Sequence, residues 1–156
     1  MNFKKWSVVF VFSAVMLAAS GFQLSYSETI AEGKYSVAGL DNEKEVEMFF
    51  VKFREAVKKH EKEKVSRMIS YPIKVTYASR KSGTIKTAMN FVTAYDNIFD
   101  SMLTDAISNK SIKELWANSN GVSTETGEIW FGGVIEGKSS RYELKILTIN
   151  GVTARH

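Results

Sequence analysis

The chain has no cysteine, one proline and two histidines in 156 residues. Without thiols it can form no disulfide and can offer no thiolate to a metal or a nucleophilic step. Lipid attachment at a cysteine behind an exported leader is excluded for the same reason. His60 lies in the charged run Lys58-Lys59-His60-Glu61-Lys62, and His156 is the last residue. With no His-x-x-x-His spacing, a metal site lacks its usual ligands and a Ser–His–acid triad its base. No glycine-rich phosphate loop is present. No apolar run reaches the roughly 20 residues that cross a bilayer as a helix. The run from Trp6 to Ala19 has 14 residues and is interrupted by Ser7 and Ser13.

That short run has a meaning of its own. Lys4 and Lys5 precede it, and the small residues Ala18, Ala19, Ser20 and Gly21 close it. A positive start, a short apolar stretch and a small-residue end are the layout of a secretory signal peptide. Cleavage after Ser20 satisfies the small-x-small rule through Ala18, and cleavage after Ser27 satisfies it through Ser25. An uncleaved signal anchor is the alternative. Taking residues 1–27 as leader places the protein in the periplasm or outside the cell and leaves 129 residues, enough for one domain with a real core. Losing Lys4 and Lys5 takes 21 basic residues to 19 against 17 acidic. A net charge of +2 gives no support for nucleic-acid or membrane-surface binding.

Residues 28–40 carry Gly33 and Gly39 and no clear period. They read as a linker or N-terminal arm, or as a short edge strand at Tyr35–Val37. From Asn42 the pattern becomes helical. Asn42 and Glu45 have capping-box spacing, and Val46, Phe49, Phe50, Phe53 and Val57 form one apolar stripe. A break is expected within Lys58–Lys64, then a short helix with Val65, Met68 and Ile69 inward, ended by Pro72. Ile73, Val75 and Tyr77 alternate with Lys74 and Thr76, as in a half-buried strand. Arg80–Gly83 reads as a turn and Thr84–Thr87 as a short return strand. A third helix carries Ala88, Phe91, Val92, Tyr95, Phe99 and Met102 on one face and runs toward Ile107. Ser111 and Glu114 form another capping box, opening a short helix through Leu115 and Trp116. Three antiparallel strands follow, over Val122–Thr124, Glu128–Ile135 and Ser140–Ile149, with turns at Gly127 and Gly137. In the middle one Ile129, Phe131 and Ile135 share a face, Trp130 and Val134 share the other, and Gly132-Gly133 suggests a bulge or bend.

Helices followed by a curved antiparallel sheet form the order of NTF2-like domains. The segments Tyr71-Pro72-Ile73-Lys74-Val75, Phe91-Val92-Thr93-Ala94-Tyr95-Asp96-Asn97-Ile98-Phe99 and Gly121-Val122…Gly127-Glu128-Ile129-Trp130-Phe131 resemble small exported bacterial members of that group. The resemblance covers residues 41–150. It implies an α+β cone, cystatin-like in outline, with N-terminal helices packed on the sheet and a pocket between sheet and long helix. The group hosts isomerases, dehydratases, binding modules and immunity or inhibitor proteins, so the fold does not decide the activity.

Two arrangements could carry chemistry. Asp96 and Asp100 are four apart on the third helix, beside Tyr95, and paired carboxylates can serve as acid and base. Tyr95, however, belongs to the apolar stripe, which turns Asp96 about 100° away toward solvent. Tyr77, Trp116, Trp130 and Tyr142 could line an aromatic pocket, although strand aromatics more often fill a core. Asn109-Lys110-Ser111 matches a glycosylation acceptor and carries little weight in a chain of bacterial type.

No cofactor, metal, nucleic acid or membrane partner is expected of the mature chain. The expected function is non-catalytic binding in the cell envelope, of a protein or a small apolar ligand. A protein that inhibits an exported toxin or effector is its most concrete form. A small enzyme of isomerase or dehydratase type is the alternative, and pairing of two copies stays open. Mass spectrometry of the mature protein should find its N-terminus between Gly21 and Glu28. Recovery of the chain from Met1 in the soluble cytoplasm would refute export.

Overall fold

A computed structural model of the chain describes residues 33–138 and 140–152. The leader expected at residues 1–27 and the last residue, His156, lie outside the described residues. The described part is α+β, with four α-helices and six strands.

The first helix, α1, spans Glu43–Lys58, and the Asn42 side chain accepts from the Glu45 backbone N–H. Val46, Phe50, Phe53, Ala56 and Val57 are its buried positions. The chain leaves it through His60 at φ 53°, in the left-handed region, and re-enters α2 over Lys62–Arg67. The α2 helix ends at Arg67, five residues before Pro72. Pro72 lies inside strand β1, Ile69–Thr76, behind a cis peptide bond with Tyr71. Ile73 and Val75 are buried and Lys74 exposed, as the alternation requires. Strand β2, Ser82–Ile85, returns antiparallel with Ile73 opposite Ile85.

The long third helix is two helices. The first, α3, runs Ala88–Ile98, and the second, α4, runs Ser101–Ser108. Asp100 starts α4 by accepting from the Leu103 N–H at 2.8 Å. This N-cap resets the helical phase. Leu103, Thr104 and Ile107 turn inward, and Met102, expected on the apolar face, is 52% exposed. The Ser111–Glu114 capping box forms, but it opens only the 3-10 turn Ile112–Glu114. Leu115 and Trp116 belong to a strand instead, β3 over Leu115–Asn118.

Strands β4 (Gly121–Thr124), β5 (Ile129–Val134) and β6 (Glu143–Ile149) complete one sheet of order β2-β1-β6-β5-β4-β3. The sheet is mixed rather than antiparallel, because β1 runs parallel to β6. Gly121 has φ 128°, and a Cβ there would meet the Phe131 carbonyl oxygen at 2.6 Å, so β4 needs glycine at its start. The expected bulge is not at the glycine pair: the β5–β6 ladder shifts between Trp130 and Phe131, where β6 steps from Thr148 to Ile146 and leaves Leu147 over. Ile135 lies beyond the last ladder pair, Val134–Glu143, and is 64% exposed rather than facing inward with Phe131.

The core lies between the helices and one face of the sheet. Phe131 meets Phe49 and Phe50 of α1, Phe53 meets Phe99, and Phe99 stacks on Tyr95 with ring centroids 4.7 Å apart. The segment expected as an arm is held at its described end. Tyr35 and Leu40 are buried around a 3-10 turn at Ser36–Ala38.

Phe53 has no exposed surface. Phe53→Ala should therefore cost about 3–5 kcal/mol in a denaturant titration, from lost transfer energy and the cavity left behind. Met102→Ala, on the outer side of α4, should stay within about 0.5 kcal/mol of the parent. A loss below about 1 kcal/mol at Phe53 would mean that the α1 face is wrongly assigned.

Candidate binding face

The six residues singled out from the sequence do not line one pocket. Tyr95 is fully buried, and its hydroxyl has no hydrogen-bond partner. Burial first, and then the charge of Asp96, push its phenol above the usual range. Asp96 points outward and pairs with Lys62 at 2.6 Å, its side chain 72% exposed. Its expected acid–base companion is occupied elsewhere, since Asp100 caps α4. Tyr77 covers Gly83 of the β1–β2 hairpin, where a Cβ would come within 2.7 Å of its ring. Tyr142 borders a separate hollow of about 250 Å³ with Glu45, Met48 and Phe49. Burial, then Glu45 and Asp41, raise its phenol.

Only Trp116 and Trp130 come together. Their rings meet edge-on with centroids 5.2 Å apart. The strand ladder explains the meeting. Trp116 of β3 lies opposite Ser123 of β4, and Ser123 lies opposite Trp130 of β5. The two rings flank Ser123 and leave it fully buried. Trp116 donates its ring N–H to the Thr124 carbonyl at 3.0 Å and is still 40% exposed. Trp130 is half-buried, and its ring N–H makes no hydrogen bond among the described residues.

The same file continues across the sheet. Trp130 pairs with Thr148 of β6, Thr148 with Lys74 of β1, and Lys74 with Thr84 of β2. Successive strands lie about 4.8 Å apart, so the file runs about 24 Å from Trp116 to Thr84. It lies on the face opposite the core, since the neighbouring positions Ile73, Val122 and Phe131 are the buried ones. At its β1–β2–β6 end a groove of about 390 Å³ is lined by Lys74, Thr76, Ser82, Thr84, Thr148 and Asn150, with Val75 and Gly83. Lys74 makes no ion pair or hydrogen bond among the described residues. Sequence reading marked Lys74 and Thr76 only as the polar side of a strand. It missed Thr84, Thr148 and Asn150, because which strands lie side by side is not written in their period.

A polar clasp holds the tryptophan end. Glu128 is 5% exposed and accepts from the hydroxyls of Thr124, at 2.7 Å, and Thr126. Lys110 donates to the Thr126 hydroxyl at 3.1 Å. Asn150 ties the turn to β6 through the carbonyl oxygens of Glu128 and Gly127, each at 2.7 Å. Burial alone would raise the Glu128 pKa. The threonine and backbone hydrogen bonds, with the Lys110 charge, outweigh it and hold the carboxyl below the usual range. Thr124, Thr126 and Glu128 alternate through the turn, which is the signal that could have exposed the clasp.

Among the described residues no cluster of three or more His, Cys, Asp or Glu side chains is gathered to hold a metal. No helix there is long and apolar enough to cross a membrane. The space between helices and sheet is filled by Phe50, Phe53, Phe91, Tyr95, Phe99 and Phe131, each at most 3% exposed.

Because the folded Glu128 carboxyl titrates below its ordinary value of 4.5, its ionised form stabilises the fold. That contribution is complete above the ordinary value and fades as pH falls through the lower, folded pKa. Glu128→Gln should therefore be less stable than the parent at pH 7, and the gap should narrow below about pH 4. Chemical denaturation across this range measures it, and a gap constant with pH would refute the charged clasp.

Comparison with family models, with curated proteins and with solved structures finds no match to the chain.

Proposed function

We propose that the protein is an exported, non-catalytic binding module of the cell envelope, and that it binds through the face of the sheet opposite its core. The observation that carries this reading is the division of the aromatic residues. Phenylalanine and tyrosine fill the interior, where an enzyme or carrier of the NTF2-like type would keep its pocket. Trp116 and Trp130 stand on the other side of the sheet, beside an unpaired lysine and a row of hydroxyls. Tryptophan is the side chain most often found as a binding anchor, because it offers large contact area at low entropy cost. An enzyme needs an ionisable group held in a cleft with a partner that tunes it. Asp96, the acid proposed from the sequence, is in an exposed ion pair instead, of a kind worth little energetically.

The cone outline belongs to this proposal as well. A six-stranded sheet that curves around a solid aromatic core is a rigid platform, suited to presenting its outer face. A toxin inhibitor remains one form of the reading, and it would use the same face.

Trp116→Ala and Trp130→Ala should each weaken association with the isolated envelope fraction by about tenfold or more, the loss expected of a buried aromatic anchor. Asp96→Asn should leave it unchanged, and substitutions in the exposed Glu136–Lys138 turn measure how far the surface extends. Co-sedimentation of purified variants, each checked for folding by circular dichroism, reads the result. A well-folded Asp96→Asn protein that lost the phenotype, with silent tryptophan variants, would replace binding by catalysis.

A further inference from the structure

We infer that the partner is a linear polysaccharide carrying carboxylates, laid along the file from Thr84 to Trp116. The inference rests on the proposed use of the outer face and adds the chemistry of what it binds.

The argument begins with the groove. Five of its lining side chains are hydroxyls or an amide: Thr76, Ser82, Thr84, Thr148 and Asn150. Each can donate and accept, which matches the mixed donor and acceptor character of sugar hydroxyls. A peptide would ask for something else. Extended peptides bind to a free sheet edge by main-chain bonds, with pockets for alternate side chains. Here the groove lies on the face of the sheet and runs across β2, β1 and β6, so although β2 is an edge strand, a ligand lying across the strands meets side chains rather than a free main chain.

The charge is one-sided. Lys74 is the one charged residue of the groove lining, and no acid faces it there. Lys74 lies between Thr84 and Thr148 in the ladder. An ammonium flanked by two hydroxyls is a site for one carboxylate, with hydrogen bonds left for its neighbours. The file then leads from Thr148 to Trp130 and Trp116. A pyranose ring has an apolar face of C–H groups, which seats on an aromatic ring, and hydroxyls at its rim. The Trp130 ring N–H, which makes no hydrogen bond among the described residues, can donate to such a hydroxyl. Over about 24 Å the face alternates aromatic, hydroxyl and ammonium groups. A sugar unit advances the chain by a length close to one strand spacing, so four to five units would lie along the file. The clasp of Glu128 with Thr124, Thr126 and Asn150 fixes the turn beside the tryptophans, so the aromatic end is preorganised.

The experiment is calorimetric titration of the mature protein with three probes of similar length. They are a hexamer of galacturonate, the neutral hexamer of N-acetylglucosamine, and a short polyglutamate. The galacturonate hexamer should bind saturably and more tightly than the neutral one, and polyglutamate should bind neither as tightly nor with the same sites. Lys74→Met should weaken the acidic hexamer about tenfold, the loss of one charge-assisted hydrogen bond, and bring it level with the neutral one. Thr148→Val, a substitution of nearly equal volume, should weaken both sugars. Chemical-shift changes in the Trp116 and Trp130 indole N–H signals on adding the hexamer would locate binding at the file. Polyglutamate binding as tightly as the sugar, through Lys74, would overturn the inference, as would no saturable sugar binding at all. If the sugars fail while the tryptophan variants still detach the protein from envelope material, the inference falls and the binding face stands. If both fail, the binding face falls as well.

Discussion

Phe131, at the centre of β5, meets Phe49 and Phe50 across the interface with α1, and from α1 the rings continue through Phe53, Phe99, Tyr95 and Phe91 to Tyr71. This chain of rings links α1, α3, β1 and β5. Each ring buries a large apolar area and accepts only a few relative orientations, so the helices are fixed against the sheet in distance and in roll. With no disulfide available, the packing of these rings carries the cohesion that some small domains obtain from cross-links. It also consumes the interior. Phenylalanine and tyrosine side chains occupy the space between α1, α3 and β5.

The break at Asp100 follows from the same packing. By stopping at Ile98 and restarting at Ser101, the chain lets Phe99 turn under α1 to reach Phe53, and lets α4 bring Leu103 and Ile107 back to the core. Asp100 supplies the N-cap that makes the restart cheap, worth about 1 kcal/mol for a residue of this type. Its carboxylate is therefore structural, and the pairing with Asp96 that the four-residue spacing suggested is dissolved by the break between them.

Legibility in the sequence followed the range of the interactions. The α1 helix was readable because cap, dipole charges and apolar stripe agree within one local segment, and the structure keeps its Asn42–Glu45 cap. The α3–α4 break was not, because Met102 continues the apolar spacing of Phe91, Tyr95 and Phe99, and only the fit of Asp100 to the Leu103 N–H opposes it. Strand β3 was hidden by its four-residue length and by a capping box just before it that promised a helix. Most of the outer face was invisible for a different reason. Trp116 and Trp130 could be named, but their meeting over Ser123 depends on β4 lying between them. Lys74 and Thr148 become neighbours only through the parallel pairing of β1 with β6, which joins residues 74 apart along the chain. Local period reports which way a side chain faces, and says nothing of what faces the same way on the next strand.

The location of the tryptophans can be understood from that parallel pairing. Because β6 sits between β1 and β5, the outer face brings the polar hairpin of β1 and β2 beside the tryptophan-bearing strands, and no helix of the described part covers the junction. Residues on this face were free of the demand to fill the core, and yet two of the chain's three tryptophans stand there. Solubility alone would favour threonine and lysine at all six positions of the file. A large aromatic side chain left 40% exposed keeps part of its apolar area in water. Trp116 is held by the Thr124 carbonyl and the edge of Trp130. The hydrogen bonds that Glu128 accepts from Thr124 and Thr126 fix the turn beside both rings. The face therefore combines a part-exposed aromatic pair, a lysine that makes no ion pair or hydrogen bond among the described residues and a row of hydroxyls. It is on this combination that the proposed binding role rests.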